Sequence, residues 1–190
     1  MSKLKYIIPV MLITLVLTGA SCGEDNSSSK KKKKVDIYEE YSSAENVDWG
    51  FEVKYPDDWE QKVLGNDATG YTIAFLSPPS DESDIYSENV IVYASLAQPQ
   101  DFDEIMQQGI AEMTNSSEVN LLSYKKIFLA GKPTYVMEYS TTSNSVDFRY
   151  RHYFVNAGKN WYQVLYTAEI NEYEKSLDIA ESIINSLTIN

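Results

Sequence analysis

Gly50-Phe51-Glu52-Val53-Lys54-Tyr55-Pro56-Asp57-Asp58-Trp59 is the stretch on which the fold turns. Phe51, Val53 and Tyr55 alternate with Glu52 and Lys54, the period of a strand with one buried face. Pro56 cannot donate to a sheet ladder, so it ends the strand. Asp57-Asp58 then make a turn, and Trp59 buries a large ring just past it, anchoring the strand's exit.

Downstream the same pattern recurs. Residues 71–76 read as a strand closed by Ser77-Pro78-Pro79, and residues 89–96 as another, rich in Val and Ile. The period then changes: Phe102, Ile105, Met106, Ile110 and Met113 form one helical stripe. Asp101 is placed to cap this helix, with Glu104 three residues on. Strand character returns over residues 122–129, 135–139, 148–155 and 161–168. The turns between them carry Gly131, suited to positive φ, and Gly158. A closing helix places Tyr173, Leu177, Ala180, Ile184 and Leu187 on one face, with Asn171 as its expected cap. Short hairpin connections argue for antiparallel pairing. The expectation is an α+β domain: a twisted antiparallel sheet of about six to seven strands with helices packed on its faces.

These residues resemble a known family. The opening Gly50-Phe51 strand followed by Tyr55-Pro56-x-x-Trp59 is similar to that of PsbP-like domains. So are Ser77-Pro78 after a strand, Asn89-Val90-x-Val92 at the start of the next, and Gly131-Lys132-Pro133 before Tyr135. Trp161-Tyr162 through Ala168 and Ile183-Ile184-Asn185-Ser186-Leu187 complete the match, which spans roughly residues 36–190. The resemblance implies an α/β/α sandwich with helices on both sides of the sheet. It implies no photosystem role, because no docking N-terminal segment and no family metal ligand map onto this chain.

The first 34 residues address location. Lys3 and Lys5 precede an apolar run from Tyr6 to Leu17, shorter than the roughly 20 residues a spanning helix needs. Thr18-Gly19-Ala20-Ser21 puts small residues directly before Cys22, the only cysteine. That order predicts a lipoprotein signal peptide over residues 1–21, cleavage before Cys22 and a lipid on its sulfur. The alternative is ordinary cleavage after Ala20, which leaves a free thiol on an exported protein. Residues 22–34 form a lipid-anchored flexible linker with five consecutive lysines, Lys30–Lys34, and residues 35–190 the globular domain. Two acyl chains hold a protein stably on a membrane, and the lysines are placed to meet anionic headgroups. The expected location is therefore the extracytoplasmic face of the cell membrane.

The chain carries 16 basic and 28 acidic residues. Setting aside the seven lysines and two acids of residues 1–34 leaves 9 basic and 26 acidic residues, a net charge of −17. So acidic a body repels phosphate backbones, which disfavours nucleic acid. With Cys22 lipidated, neither a disulfide nor a thiolate metal site is available. Asn26 and Asn115 match the N-glycan acceptor pattern, and the sequence leaves their use open.

Catalytic signals are few. His152 is the only histidine and lies inside an expected strand, so a satisfied structural histidine is the better reading than a catalytic base. No Gly-x-Ser-x-Gly elbow occurs. Carboxylates cluster at Asp81, Glu82, Asp84 and Glu88, weak candidates for calcium because Tyr86 stands where an EF-hand loop needs glycine. No metal site or cofactor is therefore expected. Arg149 and Arg151, the only arginines, share one face of a strand. They are candidates to receive a carboxylate or phosphate of a partner, or to pair across strands with acids such as Glu138. The expected function is a non-enzymatic, membrane-anchored module that binds or scaffolds a protein not identified by the sequence. The alternative is a lipoprotein that binds a small ligand or a cation such as calcium.

Overall fold

Alternating apolar residues pair into ten strands and two sheets in the computed structural model, which describes residues 41–81 and 86–190. In chain order these are β1 (Tyr41–Asn46), β2 (Phe51–Pro56), β3 (Glu60–Asn66), β4 (Gly70–Leu76), β5 (Asn89–Leu96), α1 (Phe102–Thr114), β6 (Asn120–Leu129), β7 (Lys132–Ser143), β8 (Val146–Asn156), β9 (Asn160–Glu169), α2 (Tyr173–Asn185) and β10 (Thr188–Ile189). The main sheet runs β3-β4-β5-β9-β8-β7-β6, antiparallel throughout. β1, β2 and β10 form a separate three-stranded sheet.

Period-two alternation gives the main sheet two apolar faces. On one, Phe75, Val90, Val92, Val164 and Tyr166 pack against Phe51 and Val53 of β2 and Ile183 and Ile184 of α2. Two buried tyrosines tie this layer together: Tyr162 donates to the Trp49 carbonyl at 2.5 Å and Tyr166 to the Tyr173 carbonyl at 2.8 Å. On the other face, Phe102, Met106, Ile110 and Met113 of α1 cover Tyr135, Met137, Tyr139 and Tyr150 of β7 and β8. Helices therefore lie on both sides, an α+β sandwich as the sequence led us to expect.

Local signals are mostly met. Asp101 caps α1 by accepting from the Glu104 N–H at 3.1 Å. The Trp59 N–H donates to the Pro56 carbonyl at 3.0 Å, closing the turn after β2, and Trp59 is buried. Gly131 takes φ 71° in the β6–β7 hairpin. Three features differ from expectation. The Phe51 strand belongs to the small sheet, not the main one. β3, over residues for which the sequence suggested no strand, takes a main-sheet edge, with a bulge shifting register between Val63 and Gly65. Asn171 does not cap α2: the cap position is Glu172, whose side chain makes no capping bond, because the helix begins at Tyr173.

Helix α1 lies over the β7–β8 part of its face. The β4–β5–β9 part carries a smaller buried cluster of Ala74, Leu76 and Ile91, with Leu165 packed against both clusters. That half-face borders the site described next.

Candidate functional site

A cleft of about 600 Å³ runs between α1 and the β5–β9 part of this face. Tyr93 and Ser95 of β5, Trp161 and Gln163 of β9, and Phe102 and Met106 of α1 form most of its walls. Gln98, Gln100 and Gln108 stand exposed at the rim. None of the residues lining it carries a formal charge, in a domain whose acids outnumber its bases almost three to one. A second hollow of about 290 Å³ adjoins it, sharing Thr69, Tyr93 and Gln163 and reaching His152.

Sheet geometry sets these side chains. Tyr93 lies directly across from Gln163, and Ser95 across from Trp161, so the two half-buried aromatic rings sit on a diagonal. Gly70 lets the Tyr93 ring lie against β4: a Cβ there would stand 2.9 Å from the ring and 3.0 Å from the Ala94 carbonyl. Phe102 meets Trp161 edge-on at 5.2 Å and holds it upright. At the hollow's mouth the Asp67 carboxylate accepts from the Thr69 hydroxyl and from the N–H groups of Thr69 and Gly70. The Thr69 hydroxyl bond above all holds Asp67 below the usual carboxylate range.

His152 anchors the floor. Its ring is buried, with Nε2 3.0 Å from Gln163 Oε1, Nδ1 3.4 Å from the Tyr139 hydroxyl, and Phe154 packed on it at 4.0 Å. Burial pushes its pKa down to about 3, with the Gln163 bond opposing, so the ring is neutral at physiological pH. A neutral ring donating from Nε2 to Gln163 Oε1 leaves Nδ1 to accept the Tyr139 hydroxyl proton. No hydrogen bond from the Gln163 amide nitrogen is made among the described residues, and Gln163 lines the cleft. The histidine thus orients an amide.

Arg149 and Arg151 lie on the opposite face of the sheet. Glu138 accepts from both, at 2.9 Å from Arg149 Nη2 and 2.6 Å from Arg151 Nη2. Arg149 also donates to Glu174 at 2.8 Å and Arg151 to Glu181, both on α2. The Arg149 guanidinium stacks 4.3 Å from the Tyr173 ring centre. Burial tends to raise Glu138, but the two guanidiniums override it and hold its carboxyl below the ordinary range. The arginines thus form a clamp between β8, β7 and α2, and their forks are taken up by the protein's own carboxylates.

Of the acidic candidates, the described residues include Asp81 and Glu88. Asp81 is exposed, and Glu88 is buried, accepting from the Ser77 hydroxyl at 3.0 Å. Glu82, Asp84, Cys22 and Asn26 lie outside the described residues. Among the described residues no group of three or more His, Cys, Asp or Glu is arranged to hold a metal, and no helix is long and apolar enough to cross a membrane. Asn115 ends α1, donating to the Ala111 carbonyl at 2.7 Å. The other prominent surface feature is strand β6, an edge with Leu122, Tyr124 and Phe128 exposed, bordering a shallow groove of about 820 Å³.

Sequence reasoning passed over Tyr93, Trp161 and Gln163. The available signal was Gln163 itself, a polar residue between Trp161 and Leu165 on one face of an otherwise apolar strand.

Fold and cleft together define a class: an antiparallel sheet between helical layers, with a neutral hollow beside one helix. The sequence model of the PsbP-like protein family matches residues 11–189, and the chain belongs to that family. Solved structures share the fold. Cyanobacterial PsbP (CyanoP) from Synechocystis sp. PCC 6803 is 14% identical with a TM-score of 0.59, over 85% of this chain and 98% of that one. LpqN of Mycobacterium tuberculosis, described as involved in cell envelope biogenesis, is 17% identical with a TM-score of 0.57, over 81% of this chain and 87% of that one. A Pseudomonas aeruginosa protein described as a putative regulator is 13% identical with a TM-score of 0.54, over 80% of this chain and 99% of that one. No curated protein matches the chain.

Proposed function

We infer that this PsbP-like protein is a lipid-anchored, extracytoplasmic binding protein without catalytic activity, and that its cleft captures a small uncharged ligand. The observation that carries the reading is a charge-free hollow of about 600 Å³ inside a strongly acidic domain. The only histidine is consumed in holding Gln163, so it is not free to act as a general base at the cleft. The run before Cys22 supports the anchor, and the lysine-rich linker supports a body held off the membrane. Two measurements test this. Cys22→Ser should move the protein from the membrane to the soluble fraction and abolish acyl labelling. Native mass spectrometry of protein drawn from its own membrane should show a bound neutral molecule that is lost on filling the cleft with Ser95→Trp.

A second reading, docking of a partner protein, is supported by β6. Its outer edge is unpaired among the described residues, and Leu122, Tyr124 and Phe128 are exposed along it. Tyr124→Lys with Phe128→Lys should then abolish recovery of that partner from cross-linked membranes while leaving the cleft ligand bound.

A further inference from the structure

Resting on the cleft reading above, we propose that the ligand is a neutral oligosaccharide, gripped by Trp161 and Tyr93 and read by the Gln163 amide.

The chemistry narrows in three steps. The cleft walls carry no charge, so nothing repays the desolvation of a charged ligand. The walls are also not simply apolar: four glutamines, Gln98, Gln100, Gln108 and Gln163, line them. An acyl chain would bury the half-buried Gln163 amide against hydrocarbon without a partner, at a cost. Finally, β4, β5 and β9 are each paired on both sides, so their backbones have no free edge on which a peptide could add as a strand. Recognition there is left to side chains: ring faces and amides.

A sugar ring matches both. Its C–H face is apolar and packs on an aromatic plane, while its hydroxyls both donate and accept. Trp161 and Tyr93 sit on a diagonal, a spacing of roughly 7–8 Å in a sheet, which suits two successive sugar units. Gly70 and Phe102 hold the two rings in place before any ligand arrives. Gln163 is also preset: His152 takes its oxygen, which leaves the amide nitrogen of this lining residue as a donor for a ligand. A site built around fixed hydrogen-bonding groups discriminates strongly against molecules that cannot satisfy them.

The test uses the full chain in lipid nanodiscs, titrated with maltotriose, cellotriose, mannotriose and tri-N-acetylchitotriose, with trigalacturonate as the charged counterpart. Calorimetry and tryptophan fluorescence are read together. At least one neutral trisaccharide should bind at one site and perturb the tryptophan emission, while trigalacturonate should not bind. Gln163→Glu keeps an acceptor for His152 but replaces the amide donor with a carboxylate; binding should weaken at least roughly tenfold, with the fold checked by circular dichroism. Trp161→Ala should weaken it similarly. Should that variant lose stability, Gln98→Ala with Gln100→Ala at the exposed rim gives the same reading. If no neutral trisaccharide binds, and the molecule lost from Ser95→Trp in native mass spectrometry is not a sugar, the oligosaccharide assignment falls while the cleft stands. If no molecule depends on the cleft at all, both fall. Trigalacturonate binding as tightly as the neutral sugars would also overturn the proposal.

Discussion

His152 and Glu138 show how single side chains in this protein trade charge for position. His152 lies buried with both ring nitrogens engaged, and burial drives its pKa down to about 3. The unfolded chain takes up that proton near pH 6.5, whereas the folded chain does not until about pH 3. Its contribution to stability is therefore complete above the unfolded pKa and is lost as pH falls through the window between them. The slope approaches about 1.4 kcal/mol per pH unit. Denaturant titrations at pH 7 and pH 5 should show the stability gap between the wild type and His152→Gln shrinking at the lower pH; a constant gap would refute the buried neutral ring. Glu138 works differently, since it accepts from Arg149 and Arg151 at once. Glu138→Gln leaves two guanidiniums sharing only Glu174 and Glu181 on α2. Allowing for partial solvent screening, the cost should be about 1–2 kcal/mol, read as a lower urea midpoint with an unchanged m-value.

Among the elements, α1 and β4 decide whether the cleft exists. α1 is held by an apolar stripe, and Met106 from that stripe is buried against β7 and β8 while also lining the cleft. Met106→Ala should cost about 2–5 kcal/mol by the cavity it leaves and should loosen the helix-side wall. Amide exchange over α1 should then rise more than over α2, which packs on the opposite face. At the start of β4, Gly70 faces the Tyr93 ring at a distance no Cβ tolerates. Gly70→Ala must push either the ring or the strand, so it should destabilise by about 1–3 kcal/mol and shift the tyrosine's chemical environment. Both elements were legible in outline. The stripe from Phe102 to Met113 marks a helix, and Tyr71 to Leu76 a strand. Neither marks which half of a sheet a helix will cover, because that depends on crossing geometry between distant segments.

At the scale of the whole molecule, charge dominates. Residues 35–190 carry a net charge of −17, and among the described residues Glu88 is the only buried charged side chain. Self-repulsion then opposes the compact state, and salt relieves it. The melting temperature at pH 7 should rise between low ionic strength and about 0.5 M sodium chloride. A fall would mean that ion pairs such as Lys126–Asp103 outweigh the repulsion.

Local chemistry alone determined much of this protein: the strand ending at Pro56, the cap at Asp101, the positive φ at Gly131, the helical stripe of α1 and the acidic character of the body. Each of these is settled within a few residues of chain, where steric limits and side-chain period suffice. Tertiary structure decided the rest. It sent Phe51–Pro56 to a second sheet, drew the polar Glu60–Asn66 into the main one, turned Arg149 and Arg151 onto Glu138, and left a neutral hollow beside α1. The physical reason is that β-pairing and helix docking join residues far apart in sequence, such as Tyr93 with Gln163, so their neighbours are set by packing across the whole core.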